Sequence, residues 1–148
     1  MKQLASPAVP VSWGELLDKI TILEIKRARI ARPEARANVA RELRLLRAIG
    51  RPALRRADVT PLVAALREVN ETLWEIEDAI REEEADARFG ADFIRLARAV
   101  YKRNDERAAI KRRINALLES ELVEEKSYAG PAPLRREAVP GQAPLPAF

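Results

Sequence analysis

Residues 60–84, TPLVAALREVNETLWEIEDAIREEE, decide the fold. Leu62, Leu66, Val69, Leu73, Ile76 and Ile80 recur at alternating steps of four and three. That period places all six on one face of an α-helix and excludes a strand, whose same-face residues are two apart. Thr60 has the chemistry of an N-cap, and Pro61 suits a first helical turn, where its missing N–H costs nothing. The opposite face is acidic, with Glu68, Glu71, Glu75, Glu82 and Glu83.

The same pattern extends on both sides. Downstream, Phe89 and Gly90 mark a turn and Asp92 reads as the next N-cap. A second long helix then runs from Phe93 to about Leu118, with Leu96, Val100, the stem of Arg107, Ile110, Ile114 and Leu117 inward. Two helices of this length joined so briefly form an antiparallel hairpin. Upstream, Ser12 and Glu15 have the spacing of a capping box. From there a helix is expected to about Arg32, with Leu16, Ile20, Leu23 and Ile30 on one stripe. Leu17, Thr21, Glu24 and Ala28 form a half-polar stripe beside it. Pro33 either kinks a long helix or separates two, and the bias of a pre-proline residue away from helical dihedrals favours a break. Val39, Leu43 and Leu46 mark the following helix, with Gly50 read as its end, Pro52 as its stop and residues 51–59 as a basic loop.

Composition narrows the function. Of 148 residues, 47% are hydrophobic and 34% charged, which suits one helix-rich domain. With no Cys and no His, thiolate nucleophiles, imidazole bases and Cys/His zinc sites are excluded. There is no P-loop, dinucleotide fingerprint or zinc pattern, so no cofactor, no metal and no catalytic residue is expected. No apolar run reaches membrane-span length and the N-terminus lacks a signal-peptide core, so a cytoplasmic protein with no membrane partner is expected. The net charge of +4 is unevenly spread, with an acidic central helix between two basic segments. Pairing of those segments inside the fold explains the basic excess better than nucleic acid does, since aromatic and basic residues are not interleaved.

Polar residues lie along the flanks of the apolar stripes. Asn70, Trp74, Glu77 and Arg81 align on the central helix; Tyr101, Asn104, Ala108, Lys111 and Asn115 on the last; Thr21 and Glu24 on the first. Converging flanks would make a polar seam, and buried polar groups need partners. Three uses are open. Glu77 with Lys111, and Asn70 with Tyr101 or Asn104, can form a structural network. A small anionic ligand can sit among Glu24, Asn70, Trp74, Glu77, Tyr101, Asn104 and Lys111. The carboxylates Glu24 and Glu77 can hold Mg²⁺ or act as acid and base.

The blocks WGELLDKITILEIK (13–26), NETLWEIEDAIREEE (70–84), LARAVYKRNDERAAIKRRIN (96–115) and SELVEEKSY (120–128) resemble those of a small bacterial family of all-helical proteins of unknown function. The likeness covers roughly residues 11–128. It implies no activity, and it associates the chain with glycosyltransferase or surface-polysaccharide systems. The blocks include Trp13, Lys19, Glu24, Asn70, Trp74, Glu77, Tyr101, Asn104, Asp105, Lys126 and Tyr128. A more distant likeness is to the helical chorismate mutases, through KRARIA (26–31), without a match of pocket residues.

The expectation is an all-α protein: an antiparallel hairpin within a bundle of three to four helices, packed like a short coiled coil and homodimeric. Residues 1–11 would be a flexible arm, 12–128 one helical domain, and 129–148 a Pro-rich flexible tail. The dimer follows from surplus apolar face on the hairpin. The expected function is a non-enzymatic interaction or accessory protein with an unidentified protein partner. The alternative is a binder of, or enzyme acting on, a small anionic metabolite at the seam.

Overall fold

The computed structural model describes residues 2–127, so Tyr128 and the expected tail lie outside the described residues. Four α-helices follow one another: α1 (Trp13–Arg29), α2 (Pro33–Leu54), α3 (Thr60–Ala85) and α4 (Ala91–Leu117). There is no strand among the described residues. Residues 2–11 are exposed and form no helix.

The break at Pro33 is real. Arg32 has φ −62° and ψ 121°, extended as a pre-proline residue should be, and Pro33 opens α2 where it has no hydrogen bond to lose. The expected stop at Gly50 and Pro52 is corrected: α2 continues through both to Leu54. Gly50 is buried mid-helix, where a Cβ would stand 2.9 Å from Cδ1 of Ile20. The extra turn places Ala53 in the core beside Val59, and that burial outweighs the bond that Pro52 cannot make.

Two caps also differ, by one residue at α3 and by two at α4. Val59 is the N-cap of α3, and the Thr60 hydroxyl donates to the Arg56 carbonyl at 3.2 Å instead of accepting. Gly90 is the N-cap of α4, and Asp92 sits in the first turn, paired with Arg95 at 3.4 Å. The turn before it relies on Ala87, which takes a left-handed φ of 51° so that Arg88 N–H can reach the Glu83 carbonyl at 2.9 Å.

The hub is α1. It packs against α2, α3 and α4, while α3 and α4 pack on each other as the expected hairpin. Its two expected stripes are inside over the first part of the helix: Leu16, Leu17, Ile20, Thr21 and Leu23 are buried, as is Ile25, whereas Glu24 and Ile30 are half-buried and Ala28 is exposed. Leu17 and Leu66 are fully buried, and each such side chain stabilises the fold by roughly 1.5–3 kcal/mol.

Length limits what α1 can cover. Its 17 residues span about 25 Å, whereas the 26 and 27 residues of α3 and α4 span about 40 Å. No residue of α3 beyond Leu73, and none of α4 before Ala108, is fully buried. The outer half of the hairpin therefore stands clear. There Ile76, Ile80, Leu96 and Val100 are only half-buried, and Phe89 and Ile94 are exposed.

Candidate functional site

Where α1, α3 and α4 meet, a polar cluster replaces the apolar core. Its centre is Asp18, which sequence reasoning did not single out. Asp18 shares a buried stripe of α1 with Gly14, Thr21 and Ile25, at steps of four, three and four. Its Oδ1 accepts from Asn70 Nδ2 at 2.8 Å. The same amide nitrogen donates to Thr21 Oγ1 at 3.0 Å, and Asn70 Oδ1 accepts from Arg107 at 3.4 Å. Burial pushes the Asp18 pKa above the ordinary carboxylate value; the Asn70 hydrogen bond and the charges of Arg107 and Lys111 oppose it only in part.

Lys111 is the second buried member, with its side chain 7% exposed. It meets three carboxylates: Glu15 at 2.6 Å, Glu124 at 2.5 Å and Asp18 at 3.9 Å. Burial works against its charge, but the hydrogen bonds to Glu124 and Glu15 and the Asp18 charge outweigh that and raise its pKa. Glu15 is thus taken from the capping box. Ser12 caps α1 by accepting from Glu15 N–H at 3.1 Å, and the Glu15 carboxylate turns to Lys111 instead of reaching back.

The neighbouring end of α4 finishes the cap. Gly14 N–H donates to Asn115 Oδ1 at 2.7 Å, and Trp13 N–H donates to Ser120 Oγ at 3.2 Å. Side chains from elsewhere thereby satisfy N–H groups that a helix start leaves free. The approach is possible because residue 14 is glycine: a Cβ there would lie 2.7 Å from the Lys111 carbonyl oxygen. Among the described residues Asn115 Nδ2 is buried without a hydrogen-bond partner, a cost that the close approach of the two helices carries.

Beside the cluster lies a groove of about 290 Å³, lined by Tyr101, Asn104, Arg107, Lys111 and Lys126 together with Val100 and Ala108. Three of its polar side chains are cationic donors, and Tyr101 and Asn104 can each donate or accept. Glu124 stands between two of these cations, Lys111 at 2.5 Å and Lys126 at 2.6 Å, which hold its pKa down to about 2.

The expected seam is therefore partly assembled and differently wired. Asn70 and Lys111 join the cluster, and Tyr101 and Asn104 line the groove. The expected pairs are corrected: Lys111 bonds Glu15 and Glu124, not Glu77, and Asn70 bonds Asp18 and Thr21, not Tyr101 or Asn104. Glu77 is exposed beyond the reach of α1, and Trp74 is half-buried at the edge of the covered zone. Glu24 belongs elsewhere, accepting from Arg47 at 2.6 Å and from Arg67 at 2.6 and 3.0 Å. Burial raises its pKa, but the two guanidinium groups outweigh this and hold it below the ordinary value. Glu24 and Glu77 thus do not form the carboxylate pair considered for Mg²⁺, and no group of three potential ligands that could hold a metal occurs among the described residues.

The family model described as a family of unknown function (DUF6165) matches residues 8–139, and the chain belongs to that family. No curated protein and no solved structure matches it.

Proposed function

We propose that this member of a family of unknown function is a non-enzymatic helical interaction protein that pairs with a second copy through the outer half of its hairpin. The observation that supports the reading is the uncovered length of α3 and α4, where Ile76, Ile80, Leu96 and Val100 are half-buried and Ile94 is 55% exposed. An apolar strip of this kind on a long hairpin is the usual mark of an interface. Charge favours a second copy as occupant. Outer α3 is acidic (Glu75, Glu77, Asp78, Glu82, Glu84), and facing α4 is basic (Arg95, Arg98, Lys102, Arg103). A two-fold axis that lays α3 against the α4 of the other copy sets acid opposite base twice. The further protein partner is to be sought among glycosyltransferase and surface-polysaccharide systems, which the sequence resemblance implies. No helix among the described residues is long and apolar enough to cross a membrane.

Sedimentation equilibrium at micromolar concentration tests the pairing. A mass twice the 16.6 kDa of the chain supports it, and Ile80→Asp should return a folded monomer. A monomeric parent chain overturns it.

A second reading rests on a separate observation, the cationic and donor-rich lining of the groove at Arg107, Lys111 and Lys126. That chemistry suits a small anionic metabolite held between helices.

A further inference from the structure

After α4 the chain does not leave the bundle. Glu119 takes a left-handed φ of 49°, and Ser120 N–H bonds the Asn115 carbonyl at 2.8 Å. Ser120 Oγ then accepts from Trp13 N–H at 3.2 Å and donates to the Leu122 carbonyl at 2.6 Å. These bonds bring the non-helical segment 120–127 over the groove and set Glu124 against it.

One carboxylate thus bridges two lysines that both line the groove, through Oε2 to Lys111 at 2.5 Å and Oε1 to Lys126 at 2.6 Å. Three carboxylates surround Lys111, and they differ in how easily they can leave. Glu15 and Asp18 are fixed on the hub helix, and Asp18 is almost wholly buried. Glu124 is one-third exposed and sits on a segment without helical hydrogen bonds, so of the three it is the one that can turn into water with no helix holding its backbone. The neighbouring donors are also only partly used. Among the described residues, the one hydrogen bond of the Arg107 guanidinium is the 3.4 Å contact to Asn70, and a guanidinium carries five N–H donors.

We infer that Glu124 is a built-in stand-in for a ligand. The groove takes a small molecule bearing a carboxylate or phosphate, and that group displaces Glu124 from Lys111 and Lys126 while Asn104 and Arg107 hold the remainder. The inference rests on the groove being an anion site. Either group offers the paired oxygen acceptors that Glu124 offers now. The volume of about 290 Å³ lies at the small end of ligand pockets, which limits the class to compact metabolites.

The test titrates inorganic phosphate and, separately, succinate into the full-length protein, followed by calorimetry and by amide chemical shifts. It uses the parent chain, Glu124→Gln, Glu124→Ala and the double variant Glu124→Gln/Lys126→Met. Circular dichroism and thermal melts establish that each is folded, and the two Glu124 variants serve as independent checks. The expected result is at least about tenfold tighter binding of one probe by both Glu124 variants than by the parent, with that gain lost in the double variant. Which probe responds identifies phosphate or carboxylate. Equal binding by the parent and the Glu124 variants, weakened in the double variant, would keep the groove as an anion site and overturn the stand-in. No binding of either probe to any variant at millimolar concentration would overturn both.

Discussion

Replacing Lys111 by methionine keeps most of the side-chain volume and removes the one charge shared by three carboxylates. The consequences differ by carboxylate. Glu15 is 46% exposed and Glu124 33% exposed, so both can turn to water, and Glu124 keeps its second partner, Lys126. Asp18 is 5% exposed and cannot follow. It keeps the Asn70 hydrogen bond and the Arg107 charge, but its lysine is gone. Stranding one partner of a fully buried pair costs about 3–5 kcal/mol; with a 3.9 Å contact and a second cation remaining, about 2–3 kcal/mol is expected. The loss should depend on pH. Burial already raises the Asp18 pKa, and a carboxylate with a raised pKa stabilises the fold when protonated and loses that contribution as pH rises through its folded value. Lys111→Met raises it further, so the deficit is full at pH 7 and shrinks toward pH 4. The Glu124 contribution is lost only below that range: it is complete above the ordinary glutamate value and falls away as pH drops toward about 2. Urea unfolding of the parent and of Lys111→Met at pH 7 and pH 4.5 measures the deficit and its dependence on pH. Asp18→Asn in the same background should recover most of the loss, since its amide oxygen can still accept from Asn70. A deficit below about 0.5 kcal/mol at pH 7, or no recovery with Asp18→Asn, would refute the placement of Asp18 as the buried charge that Lys111 balances.

Two further outcomes follow from the packing. Gly14→Ala sets a Cβ 2.7 Å from a backbone oxygen that cannot move alone and should cost about 1–3 kcal/mol in chemical denaturation, whereas Gly50→Ala meets only the mobile tip of Ile20 at 2.9 Å and should cost clearly less. Glu24→Gln loses two partly exposed arginine contacts and should cost about 1 kcal/mol at pH 7, with the difference from the parent fading below the ordinary glutamate pKa; Glu77→Gln, at an exposed position, should stay within about 0.5 kcal/mol at pH 7.

The helices themselves could be read from the chain, because the signals that make them are local. The four-three spacing of α3, the pre-proline bias at Arg32 and the Ser12 cap each act within a turn or two. Features that depend on the next helix could not be read. Pro52 looks like a stop until Ala53 is seen to fill the core, and Glu15 looks like half of a capping box until Lys111 offers it a charge. The site divides in the same way. Asn70 and Lys111 stood out as polar residues beside apolar stripes, and both are buried. Asp18 did not stand out, although Gly14, Asp18, Thr21 and Ile25 share a buried face, because it falls on neither of the two stripes that the apolar residues of α1 mark. Glu77 stood out and is exposed, since α1 ends before it can cover that part of the hairpin. Helical periodicity determines which residues share a face. It leaves open how far along its neighbour each helix lies and which way that face is turned. Whether a polar side chain is solvated or must find a partner depends on those two quantities, and they exist only once the helices have packed.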